Sequence, residues 1–142
     1  MKFKAQWRYN DGAGFEYRGM NVAKVLIVDD SRLYRFSLRR LIQEWGHEVW
    51  VAKNGEEAIE MARDILPELI LMDIVMPGIS GYQAKRLLAR DAATSRIPVI
   101  FISTRSEETD RIWGLRQGAA AYVTKPVQPE LLQTAMTEAM AA

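Results

Sequence analysis

From Lys24 onward, short apolar runs alternate with stretches whose apolar residues recur at helical spacing. The runs at Lys24 to Val28, Glu48 to Ala52, Leu69 to Met72, Pro98 to Ile102 and Ala121 to Val123 predict strands. Between and after them the spacing predicts helices near Ser31 to Trp45, Gly55 to Ile65, Gly81 to Arg90, Ser106 to Gln117 and Gln128 to Met140. Helix entries carry their own signals. Asn54 with Glu57 three residues on resembles a capping box, while Ser80, Ser106 and Pro129 suit first turns. Regular strand-helix alternation implies an α/β fold, a doubly wound five-stranded parallel sheet with helices on both faces. The runs VLIV and LILM fit central strands, which are apolar on both sides in such a sheet.

Residues 1 to 23 stand outside that pattern. Phe3, Ala5, Trp7 and Tyr9 alternate with Lys2, Lys4, Gln6 and Arg8, and NDGAG then offers a turn into Phe15 to Arg18. The segment is an N-terminal extension that forms a small hairpin or stays disordered, since isolated hairpins are marginal in water. A start at Met20 is a third reading. The remainder, 24 to 142, makes one domain.

At 142 residues, 49% hydrophobic and 26% charged, the chain can bury a core of its own. It has no apolar run long enough to span a bilayer and no signal-peptide core, which points to the cytoplasm. It also has no cysteine and a single histidine, His47. Disulfides, thiolate metal sites, thiol nucleophiles and multi-histidine sites are therefore excluded. What chemistry there is must run on carboxylates, hydroxyls and lysine. The net charge of +1 leaves no nucleic-acid footprint.

In an open parallel sheet, ligands bind beyond the carboxyl ends of the strands. Here those ends carry Asp29 and Asp30, Asp73, Ser103 and Thr104, and Thr124 and Lys125. Each has an ordinary explanation, as an N-cap, a satisfied strand end or a solvated charge. Together they are harder to dismiss. Converging carboxylates raise one another's pKa unless a cation neutralises them, and an all-oxygen site suits magnesium.

The segments VLIVDDS, LILMDIVMPGISGYQA, IPVIFIST and GAAAYVTKP resemble, in order, the motifs of the bacterial response-regulator receiver domain. Within that family, LMDIVMPG with TRSEETDRIWGLRQGA is most similar to the single-domain regulators of type IV pilus twitching motility. The resemblance implies a flavodoxin-like strand order, 2-1-3-4-5, and a phosphoacceptor at Asp73. It also implies Mg2+ held by Asp30 and Asp73 directly, by Asp29 mainly through water and by the backbone carbonyl of Val75. Lys125 would pair with the phosphoryl group, and its peptide bond to Pro126 would be cis. Ser103 and Tyr122 would form the switch, with Tyr122 rotating inward into space that Ser103 vacates. The partners implied are a histidine kinase or a histidine-containing phosphotransfer domain. In this reading the protein is no turnover enzyme, because a phosphatase of the DxDx[TV] type needs a second aspartate where Val75 stands. A phosphate sink without its own output and an unphosphorylated scaffold are the alternatives. Arg32, Arg35 and Arg39, spaced along one side of the first helix, and Trp113 in the fourth form a candidate partner surface. A solvated basic face is the plainer account of the arginines.

Overall fold

The computed structural model describes residues 7–10, 14–17 and 22–141. Two short strands, β1 (Trp7–Asn10) and β2 (Gly14–Tyr17), pair antiparallel with Trp7 opposite Tyr17 and Asn10 opposite Gly14. Phe3, Ala5, Arg18 and Met20 from the expected hairpin region lie outside the described residues.

The main sheet holds β3 (Lys24–Val28), β4 (Glu48–Ala52), β5 (Leu69–Met72), β6 (Val99–Ser103) and β7 (Ala121–Thr124). Its order is β4-β3-β5-β6-β7, with every neighbouring pair parallel. Counted within this sheet alone, that is the expected order 2-1-3-4-5. The helices are α1 (Arg32–Glu44), α2 (Gly55–Ile65), α3 (Gly81–Arg90), α4 (Glu108–Arg116) and α5 (Pro129–Ala141).

Alternation along the strands divides the core in two. Leu26, Val28, Ile70, Met72 and Phe101 face one side with Ala58, Ala62, Ala84 and Leu88 from α2 and α3. Val25, Ile27, Leu69, Leu71, Ile100 and Ile102 face the other with Leu38, Ile42, Leu132 and Met136 from α1 and α5. Because β5 is central, all four of its residues are buried, which is why LILM shows no polar alternation. Edge strand β4 leaves Trp50 partly exposed, its indole N–H donating to Glu48 Oε2 at 2.8 Å.

Element ends follow local chemistry. Asn54 Oδ1 accepts from the Glu57 amide at 2.8 Å, and Ser80 with Gln83 forms a reciprocal capping box. Pro129 opens α5, where a missing N–H leaves no bond unmade. Three expected bounds shift, β7 among them, which runs on to Thr124 rather than ending at Val123. Strand β6 begins at Val99 rather than Pro98, whose carbonyl still accepts from Ile70 at 3.0 Å, and it runs on to Ser103. Helix α4 begins at Glu108, not near Ser106, because the Asp110 carboxylate accepts from the Glu107 amide at 3.3 Å and fixes the entry there. The lone histidine has a structural place: buried His47 accepts the Ala23 amide on Nδ1 at 3.1 Å, and burial lowers its pKa. No described helix is long and apolar enough to cross a membrane.

Candidate functional site

The sheet ladder continues one step past each strand and so fixes the site residues by their backbone. Asp29 N donates to Ala52 O at 3.2 Å, Asp73 N to Val28 O at 2.9 Å, and Lys125 N to Ser103 O at 2.8 Å. The ends of β3, β5 and β7 thus bring Asp29, Asp73 and Lys125 together, although 96 residues separate the first from the last.

Asp29 and Asp73 are buried, at 2% and 9% exposure, while Asp30 faces solvent. Each of the three offers a carboxylate oxygen, and these oxygens lie within 4.8 Å of one another. Lys125 Nζ sits 2.8 Å from Asp29 Oδ2 and 3.4 Å from Asp73 Oδ2. Burial pulls its pKa down, but the hydrogen bond and charge of Asp29, joined by Asp73, outweigh that and hold it above the ordinary lysine value. Asp73 is shifted up. Burial is the main cause, Lys125 opposes it, and the charge of Asp29 adds to the rise. Asp73 Oδ1 also accepts the Ile74 amide at 2.7 Å. The Lys125–Pro126 peptide is cis.

Such a cluster of hard oxygen donors, two of them buried and only partly balanced by one ammonium, suits a small divalent cation. Asp30 has an open, solvent-facing position from which to complete the set.

Around this centre the structure gives further residues roles that the sequence pattern did not mark. The Tyr34 ring lies under Lys125, with Nζ 3.9 Å from its centroid. Arg35 donates from Nη1 to the Asp29 carbonyl at 2.8 Å, so it braces the site from a half-buried position, whereas Arg32 and Arg39 are exposed. Gly81 packs so tightly that a Cβ there would overlap the Asp73 carbonyl and stand 2.9 Å from Ile74 Cα. Only glycine lets α3 start against the backbone of the acid-bearing strand end.

The segment after Asp73 divides its labour. Ile74 and Met76 are buried in the core beside α2 and α3, so Met76 anchors the loop. Val75 faces outward at 58% exposure. Glu56 in the first turn of α2 ties the far side down, accepting from the Ile79 amide at 3.3 Å. A glutamate in a helix's first turn is ordinary, and nothing local signals that tie.

Ser103 is fully buried, and its Oγ accepts the Arg105 amide at 3.1 Å. Tyr122 lies inward at 6% exposure, donating its hydroxyl to the Arg105 carbonyl at 2.8 Å. Burial raises its pKa. Tyr122 is thus already buried while Ser103 keeps its own buried place. Both candidate switch residues meet on the backbone of Arg105. Trp113 is half exposed and meets Tyr82 edge-on at 6.4 Å, and Tyr82 meets Phe101 in turn at 5.3 Å.

Residues 25–137 match the response regulator receiver domain. The chain belongs to that family. This receiver domain is 50% identical over 111 residues to protein PilH of Pseudomonas aeruginosa, a match covering 78% of this chain and 92% of PilH. It is 39% identical over 108 residues to the phosphate regulon transcriptional regulatory protein PhoB of the same organism, covering 76% of this chain but only 47% of PhoB. Among solved structures, a response regulator from Chloroflexus aurantiacus superposes with a TM-score of 0.82 at 28% identity, over 86% of this chain and 100% of that one. Chemotaxis protein CheY4 of Vibrio cholerae superposes with a TM-score of 0.77, also at 28% identity, over 84% of this chain and 99% of that one. The receiver match includes every site residue named above.

Proposed function

We propose that this receiver domain accepts a phosphoryl group on Asp73 from a phosphohistidine donor and thereby switches a protein-binding surface. The observation that carries the reading is the single constellation of Asp29, Asp30, Asp73 and Lys125, in which one acid is buried, raised in pKa and faced by a lysine. In the transfer, a carboxylate oxygen of Asp73 forms the new O–P bond as the P–N bond to the donor imidazole breaks. The neutral imidazole leaves, and the phosphoryl charge passes to this site.

Asp29, Asp30 and Asp73, with the Val75 carbonyl, would hold Mg2+, which when bound offsets the charge of the phosphoryl oxygens. Lys125 stands ready to give up Asp73 and pair with a phosphoryl oxygen, keeping Asp29 as its second anchor. The ladder bonds behind Asp29, Asp73 and Lys125 keep all three in place without further ordering. Ser103 would exchange the Arg105 amide for a phosphoryl oxygen. Tyr122, bonded to the Arg105 carbonyl, would carry that change to α4 and the surface around Trp113.

The donor would dock over α1. Arg32 and Arg39 are exposed there, and between them Leu33 and Phe36 expose 72% and 58% of their surface, an apolar strip within a basic face. Similarity to PilH supports a single-domain regulator of a chemotaxis-like twitching-motility pathway, acting in the cytoplasm on a protein target rather than on nucleic acid. The direct test is phosphotransfer from labelled histidine kinases of such a pathway. Rapid transfer to the native protein and none to Asp73→Asn is expected. Equal labelling of both would refute the assignment.

A further inference from the structure

At the opposite end of the sheet from Asp73, the residues preceding β3, β5, β6 and β7 line an open cleft of about 1110 Å³ together with residues of α3 and α5. Its walls are largely apolar, with Val22, Ala23, Ile97, Pro98 and Met140 among them. Lys85 of α3 also lines it, and Lys85 is 92% buried, since only 8% of its surface is exposed. Its ammonium lies near Gly118 in the turn before β7, where a Cβ would stand 3.5 Å from Nζ.

Among the described residues Lys85 has no hydrogen-bond or ion-pair partner. The acids on the cleft are placed otherwise: Glu68 accepts the Lys24 amide on Oε2 at 3.2 Å, and Glu138 is on the exposed side of α5. Burial alone acts on the Lys85 ammonium and lowers its pKa. A largely buried lysine with no protein anion beside it is costly, even with its ammonium reaching the cleft, and an apolar residue of similar length would fill the position without that cost. The arrangement has a simple explanation if the missing anion arrives from outside.

We propose that this cleft binds an amphipathic carboxylate, its acid group paired with Lys85 and its apolar body laid along Val22, Ile97 and Met140. The walls argue against inorganic phosphate, which would leave them wet. The single unpaired ammonium on the cleft matches a single negative charge. Arg96, exposed on the lip, adds attraction without selecting for shape. The site lies beyond the amino ends of the strands, so it is separate from the acid cluster at their carboxyl ends.

The test uses decanoate, decanol and inorganic phosphate as probes of the full chain, with backbone amide NMR as the readout. Decanoate should move the Ala23, Ile97, Gly118 and Met140 signals saturably, and Lys85→Met should weaken it about tenfold or more, the usual worth of a charged hydrogen bond. Decanol should bind more weakly than decanoate to the native protein and equally to both proteins. Lys85→Met should unfold at the same or a higher temperature, because it removes an unpaired charge. Any of three results would overturn the proposal: no saturable shifts with decanoate, unchanged affinity in Lys85→Met, or phosphate binding as tightly as decanoate. A clear loss of stability in Lys85→Met would do so as well, since it would show that the ammonium already has a structural partner.

Discussion

Gly114 on α4 lies against the ring of Tyr122: a Cβ at Gly114 would stand 2.7 Å from the ring's Cδ2 and 3.0 Å from its Cε2. The inward seat of the candidate switch residue therefore depends on a hydrogen atom one helix away. Replacing Gly114 by alanine improves helix propensity by ~1 kcal/mol but overpacks this contact, at a cost of about 1–3 kcal/mol. Gly114→Ala is expected to lower stability, and Gly114→Ala with Tyr122→Leu to recover it, in denaturant titrations of the four proteins. Strictly additive effects would show that the two residues do not share the space.

The raised pKa of Asp73 makes a stability prediction with a definite sign. Burial is the chief cause, so the folded protein binds the proton more tightly than the unfolded chain. That contribution is present at low pH and is lost as pH rises through the folded-state pKa. At neutral pH without metal, the ionised carboxylate is a liability, and Lys125 retains Asp29 in its absence. Asp73→Asn should then be more stable than the native protein at pH 7 by about 1 kcal/mol, with the gap closing on acidification. Added Mg2+ should narrow the gap by stabilising the native protein alone. Thermal melts at several pH values, with chelator or Mg2+, give the comparison. A gap that widens toward acid would reverse the argument.

The lifetime of the phosphoryl group should depend on Val75. Hydrolysis needs a water held in line, and Val75, exposed on the rim two residues after the acceptor, offers it no hydrogen bond. Val75→Asn is expected to hasten decay of the phosphorylated protein by about twofold to tenfold, the effect of one net hydrogen bond. Arg105, two residues after Ser103, stands at the corresponding place on the neighbouring strand end. Its Nη1 instead lies 3.5 Å from Asp110 Oδ1, away from the acid cluster, so Arg105→Glu should act through α4 and change decay little. First-order decay after donor removal measures both. Unchanged decay in Val75→Asn would mean that another group positions the water.

The extension should be dispensable for the chemistry. The receiver match begins at residue 25, and β1 and β2 pair with each other in a sheet of their own. A protein starting at Met20 is expected to keep its unfolding free energy within about 0.5 kcal/mol and its phosphorylation rate. Loss of cooperative unfolding would show that the first residues belong to the domain.

The physics of alternation explains why so much was legible. LILM is unpatterned because β5 is buried on both faces, and Asp73 interrupts that run where the sheet ends, so both strand and acid were visible in the sequence. Four strands ending at polar site residues, with parallel connections, left little choice about where those residues meet. What stayed hidden depends on contacts between distant segments. Tyr34 reads as one more residue of an amphipathic stripe, and only the approach of Lys125 from β7 gives its ring a charge to hold. Arg35 looks like its exposed neighbours until the Asp29 carbonyl is seen beside it. Gly114 and Gly81 read as helix positions with poor propensity, and Lys85 as a solvated charge. Their meaning lies in what packs against them.

The central claim is that Asp73 is a metal-dependent phosphoacceptor. Its most direct test is intact-mass measurement after incubation with a small phosphodonor, with Mg2+ or with chelator, on the native protein and Asp73→Asn. The account predicts one added phosphoryl group, base-labile, on the native protein with Mg2+ only, a sharply reduced yield in Asp30→Ala, and none in Asp73→Asn. An undiminished adduct in Asp73→Asn, or equal yield in chelator, would contradict it.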